Sequence, residues 1–119
     1  MPAADCGRMA EDTACDYLLA RGLILLERNF RSRQGEIDLI LLDADTLVFV
    51  EVRYRRHPGF GSAAESVDPH KQIRLSACAR YYLQTQPDSA PAGCRFDVVA
   101  IDGPERTIEW IKDAFSVTD

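Results

Sequence analysis

Lysine is nearly absent from this chain: only Lys71 and Lys112 stand among its 14 basic side chains, and the rest are arginine. Acids outnumber bases, 19 to 14, for a formal net charge of −5. That balance argues against a cationic protein that coats nucleic acid, although a local basic patch can act inside an acidic total. Cysteine is sparse as well. Cys6, Cys15, Cys78 and Cys94 show no CxxC spacing, so neither a disulfide framework nor a paired-cysteine zinc site is expected, and the thiols should be reduced and mostly buried. Long apolar runs are missing. The best, at 39–42 and 47–50, fall far short of the ~20 residues that span a bilayer. The first residues, "MPAADCGRMAEDTACD", lack a basic stretch followed by an apolar one, so no signal peptide is expected and a cytoplasmic location is. No repeat or low-complexity tract interrupts the 119 residues, a length that suits one domain, 1–119.

Periodicity organises what is present. Ala10, Ala14, Tyr17 and Leu18 recur at helical spacing, which predicts a first helix over about 8–21, stopped by Gly22. "LILLERNF" (23–30) reads as a strand, and "RSRQG" as a polar turn. Asp68-Pro69 is a helix start, with Asp at the N-cap and Pro in the first helical position. That helix should run to about residue 84, with Gln72, Leu75, Ala79, Tyr82 and Leu83 on one face. "CRFDVVAI" (94–101) reads as a strand, and "TIEWIKDAF" as a last strand with a short helical end. The order is α-β-β-β-α-β plus that last strand, a mixed α/β domain.

The stretch "GEIDLILLDADTLVFVEVRYRR" (35–56) reads as a β-hairpin, and it places Glu36, Asp38, Glu51 and Arg53 among its apolar residues. Strict alternation sends Glu36, Asp38, Ile40 and Leu42 to one face, and Ile37, Leu39 and Leu41 to the other. Both strands are apolar on both faces for part of their length, which suits a central sheet covered on each side. A two-residue loop at Ala44-Asp45, or a four-residue one, sets Ile40 opposite Phe49, Asp38 opposite Glu51 and Glu36 opposite Arg53. Directly opposed carboxylates repel. A proton, a cationic side chain or a metal must compensate. One outcome is a Glu36–Arg53 ion pair with the other two acids at a wet sheet end. The other is a hard-cation site, because Mg²⁺ is commonly held by one or two carboxylates. Arg28, Arg31, Arg33, Arg55 and Arg56 lie near the ends of the same strands, with Lys71 in the first turn of the second helix. They form either a phosphate track or a solvated basic face. For Gln72 the alternative to a role near the acids is a buried amide tied to backbone.

Taken together, "GEIDLI", "LVFVEVRYR", "KQIRLSACARYYL", "RFDVVAI" and "WIKDAF" resemble the YraN-like proteins, an uncharacterised bacterial family with a restriction-endonuclease-like fold. The resemblance covers nearly the whole chain. It implies an αβββαβ core with a mixed central β-sheet flanked by helices. It also implies the D…(D/E)xK signature of metal-dependent phosphodiester hydrolysis, with Asp38 resembling the first acid and Glu51 the second. Glu11 resembles the acid on the first helix of related junction-cutting nucleases and becomes the third expected metal ligand. Glu36 and Gln72 support these groups. Arg53 stands where the signature has Lys. Arginine effectively cannot give up its proton, so Arg53 is expected to orient water or stabilise charge on phosphorus, and Mg²⁺ or Mn²⁺ to activate the water. The expectation is a nuclease acting on DNA, branched or damaged DNA included, with a homodimer compatible with the fold. The competing expectation is a nucleic-acid-binding or adaptor domain with weakened chemistry.

Overall fold

The computed structural model describes residues 3–55, 67–86, 93–103 and 105–116, with side chains from residue 8. Its order is α1 (Ala3–Ala20), β1 (Ile24–Ser32), β2 (Gly35–Asp43), β3 (Thr46–Arg55), α2 (Pro69–Thr85), β4 (Gly93–Asp102) and β5 (Thr107–Phe115). The strands form one sheet in the order β1-β2-β3-β4-β5. Only β3 and β4 run parallel; the other neighbours are antiparallel. This is the mixed α/β architecture expected from the sequence.

Helix α1 starts before the apolar period begins, because alanines favour helix without needing to be buried. It ends in a Schellman motif. Gly22 stands at φ +94°, its N–H donates to Leu19 O, and the Leu23 N–H donates to Leu18 O. A side chain at Gly22 would pay for that left-handed conformation, so glycine belongs there. Helix α2 begins as its sequence predicts. Asp68 caps it by accepting from the Lys71 N–H at 2.9 Å, with Pro69 in the first turn.

The sheet is covered on both sides. On one, Ala10, Ala14 and Leu18 of α1 bury Leu39, Leu41, Val48, Val50, Val99 and Ile101. On the other, Leu75, Cys78, Ala79 and Tyr82 of α2 bury Ile40, Phe49, Phe96 and Val98. Burying each of the larger side chains contributes roughly 1.5–3 kcal/mol. Cys15 and Cys78 are buried free thiols, while Cys94 is an exposed one.

The structure corrects three details. The last element stays extended through Phe115, with no helical end. Its bend comes instead from Asp113 at φ +53° and an irregular register between Phe96 and Val98. The fully buried Asp97 carboxylate holds that bend. It accepts from the Asp113 N–H and from Trp110 Nε1, both at 2.9 Å, and from Arg95. Second, the hairpin register matches the expectation from Asp43–Thr46 to Ile40–Phe49, but the ladder stops at Leu39–Val50. Third, β2 does not keep strict alternation beyond that point. Ile37 joins Ile40 in the α2-side core, while Leu39 faces α1. Once unpaired from β3, β2 is free to turn about Asp38.

Candidate functional site

Where the β2–β3 ladder stops, a side chain takes over from the backbone. Asp38 Oδ2 accepts the Val52 N–H at 2.8 Å, filling the gap between the two diverging strands. Glu51 lies on the α2 side of β3 with its side chain 7% exposed. Burial pushes the Asp38 carboxyl up to about 8, the nearby Glu51 carboxylate adds to the rise, and Glu11 adds a smaller share; the Val52 N–H opposes it. The two acids are therefore neighbours, and as the site stands a proton between them relieves the repulsion.

Lys71 supplies a cation from the opposite element. Its Nζ reaches Glu51 Oε2 at 3.2 Å. That oxygen is nevertheless buried without a hydrogen bond. The ammonium is close enough to attract it but lies off the direction a hydrogen bond needs. A cavity of about 260 Å³ opens over these groups, lined by Glu36, Asp38, Glu51, Lys71 and Arg74 among others.

On β1, a residue to which sequence reasoning gave no role reaches two of the acids. Asn29 stands at φ +53°, between the β1–β2 pairs Arg28–Leu39 and Phe30–Ile37. With its amide turned toward the acids, it donates to Glu11 Oε1 at 3.1 Å and Glu36 Oε1 at 2.8 Å. An Asn inside an otherwise apolar and charged strand pattern was the available signal, because Asn is depleted in strands and tolerates the left-handed region.

The remaining expected residues are dispersed. Arg28 is held by Asp12 at 2.7 Å, with Glu11 at 3.9 Å. Arg31 pairs with Glu36 at 3.4 Å, so the Glu36–Arg53 pair of the simple hairpin is replaced by one across β1–β2. Arg55 makes a two-pronged contact with Asp102, at 2.7 and 2.9 Å. Arg33 is exposed on the β1–β2 turn. Arg53 is partly buried, two residues beyond Glu51 on the same strand. Gln72 donates to Val67 O at 2.9 Å, the backbone-tied amide, and supports the chain entering α2 rather than the acids directly. Arg56 lies outside the described residues.

The donor chemistry suits a hard divalent cation. Two carboxylates converge, one buried carboxylate oxygen lacks a hydrogen bond, and Mg²⁺ commonly takes one or two carboxylates and fills its other positions with water. Among the described residues no group of three or more His, Cys, Asp or Glu side chains is close enough to hold an ion. Asp38 and Glu51 are thus the primary pair, with Glu11 at longer range. No helix of the described residues is long and apolar enough to cross a membrane.

Residues 10–101 match the family model described as uncharacterised protein family UPF0102. A UPF0102 protein of Pseudomonas putida (strain GB-1) is 51% identical over 121 residues, covering 97% of this chain and 98% of its own. One from Nitrosococcus oceani is 51% identical, covering 95% and 93%. One from Stutzerimonas stutzeri is 52% identical, covering 92% of each.

Proposed function

Because the chain belongs to the uncharacterised protein family UPF0102, a name that carries no activity, we infer its function from the acidic centre: a Mg²⁺- or Mn²⁺-dependent nuclease that hydrolyses DNA phosphodiester bonds. One observation carries this reading. Asp38 and Glu51 meet where the strand ladder opens, and repulsion and burial hold the Asp38 carboxyl at about 8. Buried acids whose ionisation is strongly disfavoured cluster at functional sites, where a ligand can use them. The resemblance of GEID and EVR to the D…(D/E)xK pattern points the same way.

Asp38 and Glu51 would hold the cation, with Glu11 outside them. A bound divalent cation supplies Lewis-acid stabilisation of a phosphoryl oxygen and a more acidic water. The protein's own groups do the rest. Lys71 Nζ, beside Glu51, sets a positive charge at the edge of the site, where it can hold a phosphate oxygen. Arg53 stabilises charge developing on phosphorus. Asn29 fixes Glu11 and Glu36 by donating to both.

The second reading, a binding or adaptor domain without cleavage, is favoured by one feature. Lys71 already balances Glu51 without any ion. The test is purified full-length protein on single-stranded, duplex and branched DNA with Mg²⁺ or Mn²⁺, beside Asp38→Asn and Glu51→Gln. Cleavage lost in both variants supports the nuclease. Binding without cleavage under every metal selects the adaptor.

A further inference from the structure

A second and larger cavity, about 550 Å³, opens between the β1–β2 turn and the outer side of α2. It lies next to the acidic site along the same turn and helix. Gly35 and Glu36 line the acidic cavity, while Ser32, Arg33 and Gln34 line this one. Along α2, Lys71 and Arg74 belong to the first, and Arg80, Tyr81 and Gln84 to the second. From Arg74 to Tyr81 is roughly 10 Å along the helix axis at 1.5 Å per residue.

Its chemistry is opposite to its neighbour's. Among the described residues no acid lines it, in a chain whose net charge is −5. Arg33 and Arg80 supply positive charge, and Arg33 is exposed with no ion-pair partner among the described residues. Gln34 and Gln84 supply amides that can both donate and accept. Tyr81 supplies a ring, with 43% of the residue exposed. That ring is backed by Phe30 at 6.1 Å between centroids, and Phe30 is pinned edge-on by Tyr82 at 5.1 Å. A partly exposed ring braced by a neighbouring aromatic can serve as a stacking platform. Platforms of this kind, flanked by cations, bind unpaired nucleobases with little regard for sequence.

We propose that this cavity is a subsite for a single strand of nucleic acid, with one base on Tyr81 and its phosphates against Arg33 and Arg74, leading the strand toward Asp38 and Glu51. The occupant's identity rests on the phosphodiester reading of the acidic site. Its single-stranded form does not. A duplex keeps its bases stacked inside and needs a long basic stripe along its backbone, whereas Arg28, Arg31 and Arg55 are held by Asp12, Glu36 and Asp102. The cavity has room and chemistry for an unstacked base.

The experiment is fluorescence anisotropy with full-length protein in metal-free buffer, using labelled oligothymidylate, oligouridylate and a blunt DNA duplex. Arg33→Glu and Tyr81→Ala should each weaken single-strand binding about tenfold or more, Tyr81→Phe should bind like wild type, and the duplex should change much less. The thymidylate and uridylate arms decide whether DNA or RNA is preferred. Arg33 is exposed on a turn, so its variant tests the idea even if Tyr81→Ala folds poorly. Single-strand affinity unchanged by Arg33→Glu and Tyr81→Ala, or an equal loss for duplex, overturns the proposal. Strand binding that depends on these residues, without cleavage under any metal, upholds the subsite and removes the nuclease reading. Asp38-dependent cleavage with strand binding indifferent to them does the reverse.

Discussion

Asp38 should make the protein less stable as pH rises through the neutral range. An unfolded aspartate releases its proton near 3.8, whereas the folded Asp38 keeps its proton until about 8. Between those values the folded state binds the extra proton, so stability falls as pH increases. At pH 6 the folded group lies about two units below its pKa. At ~1.36 kcal/mol per unit, about 2.7 kcal/mol of stability is present there. Nearly all of it is gone by about pH 9. For a domain of this size that amounts to roughly 10 °C in Tm. The assay is thermal unfolding in EDTA at about pH 6, 7, 8 and 9 for wild type and Asp38→Asn. The amide still accepts the Val52 N–H and can donate to Glu51, but it never ionises, so its Tm should stay nearly flat where wild type declines. Groups remote from Asp38 are shared by both proteins and cancel in the difference. Saturating Mn²⁺ should restore wild type at pH 9, because ligand bound only to the folded state adds stability, and should leave Asp38→Asn unmoved. Parallel pH profiles for the two proteins would refute the opposed-acid geometry.

Three further outcomes follow from the contacts. Lys71→Met should slow single-turnover cleavage about 10²-fold, the scale for losing one preorganised stabilising group, while calorimetry shows Mn²⁺ binding at least as tightly because a competing cation has left Glu51; weaker Mn²⁺ binding would show that Lys71 builds the site instead. Arg53→Ala should also cost about 10²-fold in single-turnover rate and Arg53→Lys should recover part of it, whereas a drop in Tm with cleavage intact would make Arg53 structural. Asp97→Ala should cost about 3–5 kcal/mol in urea unfolding, because it leaves Trp110 Nε1 and the Asp113 N–H without their acceptor and the mostly buried Arg95 with Asp43 alone; Trp110 is the only tryptophan, so its fluorescence reports the loss directly, and a cost under about 1 kcal/mol would deny Asp97 its bracing role.

Local rules made much of this legible. Asp68-Pro69 marked the α2 start, Gly22 marked the α1 end, and the short Ala44-Asp45 loop fixed the register that brings Asp38 beside Glu51. Each depends on residues close in the chain. The Lys71–Glu51 and Arg55–Asp102 pairs join elements with no shared period, so charge pattern alone could not reveal that these cations were engaged. The turn of β2 at Asp38 was hidden for another reason. Alternation assumes a continuous ladder, and this one ends at Leu39–Val50, short of the expected Asp38–Glu51 and Glu36–Arg53 pairs. Likewise Asp113 bends β5 through a bond to Asp97, which lies on a different strand, where a lone segment reads as a helical tail.

The parallel pairing of β3 with β4 sets an order on folding. Strands β1, β2 and β3 form a meander joined by short turns, so Asp38 and Glu51 can meet through local closure. Lys71, in the first turn of α2, lies further along the chain from Glu51 than Asp38 does, and β4 pairs only after the chain has crossed over through that helix. Closing a longer loop costs more entropy. If the hairpin closes first, its two acids meet without their counter-charge, and a proton or a divalent ion screens them during that interval. Refolding from urea should then slow above about pH 8 and recover with Mn²⁺, so that in stopped-flow traces the ion acts as a folding accelerant as well as a ligand.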